Sequence, residues 1–111
     1  MIAETQPQFV AEATEWISNL RNYIHDINEM KNKLYKWAAH KSDYDVLVQI
    51  EHYHNQFHIQ LINLHDLKHS IKLYMRPENN NAEKQSELED EYRFLTKELD
   101  NLKSDFAAFV S

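Results

Sequence analysis

Apolar residues recur at alternating steps of four and three along most of this chain, and this spacing constrains its fold more than any other feature. In a helix of 3.6 residues per turn, such residues form one continuous stripe that is buried against neighbouring helices. The first stripe contains Phe9, Ala13, Trp16, Leu20, Tyr23, Ile27, Met30, Leu34 and Trp37. A second line, including Ile17 and Ile24, widens it, as expected for a helix packed against two others. The pattern therefore predicts a long helix over about 5–40.

A second helix is predicted over about 43–76, after a polar segment in which Ser42 is the expected N-cap. Its predicted core stripe contains Leu47, Ile50, His54, Phe57, Leu61, Leu64, Lys68, Ile71 and Met75. Two of these positions, His54 and Lys68, are polar. A buried polar group costs stability but can fix the register of packed helices. Pro77 and the Asn-rich segment after it predict a loop.

A third stripe predicts a helix over about 82–110. It contains Leu88, Tyr92, Leu95, Leu99, Leu102, Phe106 and Phe109. Short loops between three long helices make sequence neighbours antiparallel. A chain of 111 residues suits one domain. We therefore predict an all-α fold, an antiparallel three-helix bundle that forms a single domain over 1–111.

The chain contains neither Gly nor Cys, and these two absences narrow its chemistry. Without Gly, a phosphate-binding P-loop, a dinucleotide-binding loop and a strained nucleophile elbow are disfavoured. Without Cys, disulfides, thiol catalysis and Cys-based zinc sites are excluded. No nucleophile–base pair is apparent in the sequence either. The composition therefore favours a non-enzymatic protein without a cofactor.

The charge and hydropathy of the chain indicate its cellular location and which partners it does not bind. The formal net charge of −6 disfavours general nucleic-acid binding, which depends on neutralising phosphates. No apolar run approaches the ~20 residues of a membrane span, and the first residues lack the pattern of a signal peptide. The absence of Cys fits a reducing compartment. We therefore predict a cytoplasmic protein whose partners are neither nucleic acid nor membrane.

Histidines are concentrated in the second predicted helix. Glu51, His54, His58, His65 and His69 fall within an arc of roughly 60° on a helical projection. Histidines four residues apart can bind one ion from the same face of a helix, and Glu51 with His54 forms a Glu-x-x-His element of the kind used in di-iron bundles. This pattern predicts a site for a divalent metal, zinc or iron. Two alternatives are core or boundary histidines bonded to polar neighbours, and a surface or interface role.

The segment LHDLKHS, residues 64–70, resembles the active segment of histidine phosphotransfer domains. The resemblance implies that His65 accepts a phosphoryl group. The chain departs from that family in two respects: it has His69 where the family has Gly, and it has three predicted helices where the family has a four-helix bundle.

A further apolar line on the second helix contains Val48, Ile59, Ile62 and Leu73. It lies across the histidine stripe from the predicted core stripe. One hypothesis is that these residues are exposed together and form a protein–protein interface, because such patches mark partner surfaces. The alternative is that they face the third helix.

The length of the chain, its three long heptad helices and two local patterns resemble spectrin-type three-helix repeats. The two patterns are Phe9 followed by Trp16 and Ile17, and the segment HNQFHIQL at residues 54–61. The third helix, however, lacks the late Trp of such repeats and the chain has no tandem copy, so no function is inferred from this resemblance. The sequence therefore predicts a non-enzymatic helical module for protein–protein contact or structural support, with self-association into a homodimer through the second helix as one form. The alternative is a metal-binding or phosphoryl-carrying bundle that uses the histidines.

Overall fold

The computed structural model describes residues 2–111, with side chains described from Pro7 onward, and its main elements are three long α-helices. Helix α1 spans Ile2–Ala38, α2 spans Tyr44–Tyr74 and α3 spans Ala82–Val110. A short 3-10 helix, Pro77–Asn79, lies between α2 and α3, and there is no strand within residues 2–111. The helices form a rod of 62 × 19 × 18 Å. The predicted all-α three-helix bundle is confirmed.

Aromatic contacts at one end of the rod establish the direction of the helices. Trp37, at the end of α1, lies 4.7 Å from Phe109, at the end of α3, measured between ring centroids. Tyr53, near the start of α2, lies 4.9 Å from the same Phe109 ring. The ends of α1 and α3 therefore meet the beginning of α2, so α2 runs antiparallel to both.

Side chains next to the loops define the starts of α2 and α3. Asp43, with extended backbone, is the N-cap of α2, and its carboxylate accepts a hydrogen bond from the backbone N–H of Asp45 at 3.1 Å. The N-cap is thus one residue later than the predicted Ser42. Asn81 caps α3 by accepting from the backbone N–H of Lys84 at 3.1 Å. These bonds satisfy helix N–H groups that have no partner within the helix.

One continuous apolar core runs the length of the bundle, and the stripes predicted for α1 and α3 face it. Every residue of both stripes is buried or half-buried. The fully or nearly fully buried apolar side chains of these two helices are Phe9, Ala13, Ile17, Leu20, Ile27, Leu34, Leu88, Leu95, Leu99 and Phe106. The four-three spacing therefore identified the buried face of both helices.

Helix α2 is rotated relative to the prediction. Ile50, Phe57, Leu64 and Ile71 face the core as predicted. At the alternate positions, however, the deepest burial lies one residue earlier than predicted: Tyr53, Gln60 and Leu67 are buried. The predicted Leu61 and Met75 are half-buried and pack against the core together with Tyr74. His54 and Leu47 are exposed, and Lys68 is only half-buried. The observed arrangement buries Tyr53 and Leu67 and leaves a single polar group, Gln60, in the core of α2. It therefore removes more apolar surface from water than the predicted arrangement, which would bury His54 and Lys68.

None of the helices in the described part of the chain carries a stretch apolar enough to cross a membrane.

Candidate interaction surface

The side of α2 that points away from the core carries four large apolar side chains. Val48, Ile59, Ile62 and Leu73 are 44, 47, 48 and 38% exposed, respectively. On a helical projection they fall within an arc of roughly 60°, opposite Phe57. We call the exposed side of α2 that carries these four residues the outer face of α2. The alternative that this line faces the third helix is therefore wrong.

Four of the eight positions along the outer face are apolar and four are polar. From Val48 to Leu73 its positions alternate at steps of four and three, and every one of them is exposed. In order they are Val48, His52, Asn55, Ile59, Ile62, Asp66, His69 and Leu73. Helix α2 therefore carries apolar residues on two opposite sides, of which the bundle covers one. A stripe of this kind is the usual means by which one helix packs against another.

A groove of about 290 Å³ between α2 and α3 extends this surface. Phe94 of α3 lies in it beside Asp66 and Ser70 of α2, and its ring is 66% exposed. Phe94 was not predicted as a functional residue, because it falls beside the core stripe of α3 and has no apolar companions at helical spacing. An exposed phenylalanine next to the outer face enlarges the apolar surface that a partner could cover.

The predicted metal ligands Glu51, His54, His58, His65 and His69 are all exposed on α2. The interpretation of these histidines as core residues is therefore wrong. The ring of His54 packs at 6.0 Å from that of Tyr35 on α1. Among the described side chains, no group of three or more His, Cys, Asp or Glu residues is close enough together to hold a metal ion. A role for these residues in binding a divalent metal stays a prediction.

His65, the residue implied as a phosphoryl acceptor, is likewise exposed, and His69 follows it one turn later on the same helix. The residues matching the phosphotransfer pattern lie on a helix of a bundle that has three long helices within residues 2–111. The phosphoryl-carrying role of His65 also stays a prediction.

A second cavity, of about 350 Å³, lies between α1 and α3 and is lined mainly by polar groups. Within it the hydroxyl of Tyr23 donates a hydrogen bond to Asp100 at 2.7 Å. The ammonium of Lys103 donates to Asp26 at 2.8 Å and lies 5.6 Å from the centre of the Tyr23 ring. These bonds connect α1 to α3 at fixed positions along the two helices. We interpret these hydrogen bonds as the polar contacts that set the register of α1 against α3.

Burial, followed by the hydrogen bond to the Asp100 carboxylate, raises the pKa of Tyr23 above its usual value. A phenol whose pKa is raised on folding stabilises the protein below the unfolded pKa of about 10, and that contribution is lost as the pH rises further. Tyr23→Phe should therefore lower the free energy of unfolding by about 1 kcal/mol near pH 7. The difference from the unaltered chain should shrink above about pH 10. Urea unfolding followed by circular dichroism, at pH 7 and again above about pH 10, measures this difference in the free energy of unfolding.

The control for this experiment is Tyr35→Phe, because Tyr35 is 51% exposed. It should change the free energy of unfolding by less than about 0.5 kcal/mol. Equal effects of the two substitutions at pH 7 would show that the bond between Tyr23 and Asp100 contributes nothing to stability.

No protein-family model matches the chain, and no curated protein or solved structure is significantly similar to it. The resemblance to histidine phosphotransfer domains therefore rests on one short segment, and the resemblance to spectrin-type repeats rests on topology and two local patterns. Function has to be inferred from the chain's own surface.

Proposed function

We propose that this chain is a non-enzymatic helical module that binds a protein partner through the outer face of α2. The observation that carries the proposal is the exposure of Val48, Ile59, Ile62 and Leu73 on the side of α2 opposite its core stripe. Singly exposed apolar residues are common on protein surfaces, but four large ones aligned along one side of a helix indicate an interaction site. The absence of Cys fits a cytoplasmic location for this contact.

The size of the apolar row sets the strength of binding we expect. A Val, Leu or Ile side chain contributes ~1.5–3 kcal/mol when it is fully buried. Covering four that are 38–48% exposed would contribute roughly 4 kcal/mol. Micromolar affinity corresponds to about 8 kcal/mol. The partner must therefore supply further contacts of its own, and we expect binding in the micromolar range rather than the nanomolar range.

Photo-crosslinking in cells tests this proposal directly. A benzophenone amino acid introduced at Ile62 should form covalent adducts with a protein, because Ile62 lies at the centre of the row and is exposed in the single chain. Gel mass and mass spectrometry of the purified adduct identify the partner. The matched control places the same group at Ser18, an exposed polar position of α1.

Adducts of defined mass from Ile62, with few or none from Ser18, are the expected result. Equal labelling from both positions, or no adduct from Ile62, would overturn the proposal that the outer face of α2 is the binding surface.

A further inference from the structure

We propose that the partner on the outer face of α2 is a second copy of this chain. In this dimer the two α2 helices pack antiparallel about a twofold axis that passes between Gln60 and Leu61. The inference rests on the proposed function, since it uses the same surface, and it adds the identity of the partner and the geometry of docking. Four observations support it: the symmetry of the stripe, the pairing of its polar members, the charges beside it and the open approach to it.

The apolar members of the stripe are symmetric about its midpoint. Ile59 and Ile62 lie equally far from the point between Gln60 and Leu61, and Val48 and Leu73 also lie equally far from it. In an antiparallel pair, Ile59 of one copy therefore meets Ile62 of the other. Val48 of one copy likewise meets Leu73 of the other. A twofold interface requires such self-complementarity, because the same patch must serve both copies.

The polar members of the stripe pair in the same register. Asn55 of one copy meets Asp66 of the other, where the amide can donate to the carboxylate. His52 of one copy meets His69 of the other. Each contact occurs twice in the dimer, and all four residues are exposed in the single chain. Polar layers between apolar ones are a known means of fixing register and orientation in packed helices.

The positions next to the stripe add charge complementarity. On the flank nearer to α1, Glu51 of one copy comes opposite Lys72 of the other, again twice. On the flank nearer to α3, Gln56 comes opposite Asn63. Within the described part of the chain, neither Glu51 nor Lys72 forms an ion pair with another residue. Both are therefore available to a second copy, and opposite charges at flanking positions favour one helix orientation over another.

A parallel arrangement of the same two faces is much less favourable. Each stripe residue would then meet its own counterpart, so that Asp66 would face Asp66 of the other copy inside the contact. Juxtaposing like charges at an interface is unfavourable. The antiparallel arrangement replaces this repulsion by two contacts between Asn55 and Asp66.

Access to the outer face is open in the fold. Helices α1 and α3 pack on the side of α2 that carries Phe57 and Leu64, so neither helix lies between the outer faces of two approaching copies. Self-docking also buries the four apolar side chains of both copies for a single loss of translational and rotational freedom. A contact of one helix against another remains at the low end of the ~1,200–2,000 Å² found in stable complexes, which agrees with micromolar affinity.

A charge exchange tests the orientation. Glu51→Lys alone should weaken the dimer about tenfold, because each of its two ion pairs becomes a repulsion. The double variant Glu51→Lys with Lys72→Glu should restore the affinity to within about threefold of the unaltered chain. Sedimentation equilibrium of each purified protein gives the dissociation constants. Additive loss in the double variant would contradict the pairing of Glu51 with Lys72.

Cysteine cross-linking tests the geometry of the dimer. Because the chain contains no native Cys, only the introduced cysteines can react. The variants Val48→Cys and Leu73→Cys are mixed and treated with a short bis-maleimide that spans the roughly 8–10 Å between packed helices. The antiparallel dimer predicts cross-linking in the mixture and none in either variant alone. In that dimer the two copies of residue 48 lie roughly 38 Å apart along the helix axis.

Cross-linking of Val48→Cys to itself would show a parallel dimer and overturn the inference, and the absence of any cross-link would overturn it as well. The proposed function is tested separately by the adducts at Ile62. Adducts with a different protein, combined with no cysteine cross-link, would retain the binding surface and reject the second copy. The lack of both adducts and cross-links would reject both.

Discussion

Replacing Phe57 by alanine is expected to lower the free energy of unfolding by about 3–5 kcal/mol. The ring of Phe57 is fully buried and packs edge-on against Phe106 of α3 at 5.1 Å between centroids. It also lies 6.1 Å from the ring of Tyr53. Its removal reduces the apolar surface that is buried in the core and leaves a cavity that the three helices can only partly close. Chemical denaturation of dilute protein measures the loss.

Phe94→Ala provides the matched control, because it removes the same ring from a site that is 66% exposed. It should change the free energy of unfolding by less than about 0.5 kcal/mol in dilute protein. Similar losses from both substitutions would contradict the placement of α2 against α3 through Phe57.

Replacing Ile62 by glutamate is expected to weaken self-association by at least about 100-fold while leaving the helices folded. The substitution appears twice in the dimer, and each time it places a carboxylate opposite Ile59 of the other copy. A loss of about 1.4 kcal/mol at each of the two sites corresponds to about 100-fold in affinity, and burying a charged group against an apolar one costs at least this much. Sedimentation equilibrium gives the affinity, and circular dichroism reports the fold.

Leu47→Glu is the control for this variant. Leu47 is an exposed leucine of α2, 44% accessible, that lies outside the stripe of the outer face. It should change the dimer affinity by less than about threefold, because a charge beside the contact stays hydrated. If both variants weaken association equally, or if neither does, the outer face is not the surface through which copies meet.

Periodicity was sufficient to predict the fold because α1 and α3 each carry one dominant apolar stripe. Each of these two helices has only one face that is largely free of polar residues, so only that face can be buried. In α2 the same reasoning failed in part, since two neighbouring candidate core stripes share Ile50, Phe57, Leu64 and Ile71 and differ only at the positions between them. The information that separates them is the cost of burying His54 and Lys68, which the observed rotation avoids.

The same double patterning explains why the candidate site was partly predictable. Val48, Ile59, Ile62 and Leu73 could be identified from spacing alone, because α2 has more apolar positions than two neighbours can cover. Phe94 could not be identified, because a single exposed aromatic residue has no periodic signature. The number of histidines in α2 led to the prediction of a metal site, but composition does not indicate in which direction a side chain points. Their exposure followed only from the rotation of α2.

Sedimentation equilibrium of the unaltered chain tests the self-docking of α2 most directly. The chain has a mass of 13.4 kDa, and the average mass should rise toward twice that value as the concentration passes through the micromolar range. A mass of 13.4 kDa at every concentration up to roughly 1 mM, where binding is worth only about 4 kcal/mol, would contradict the account.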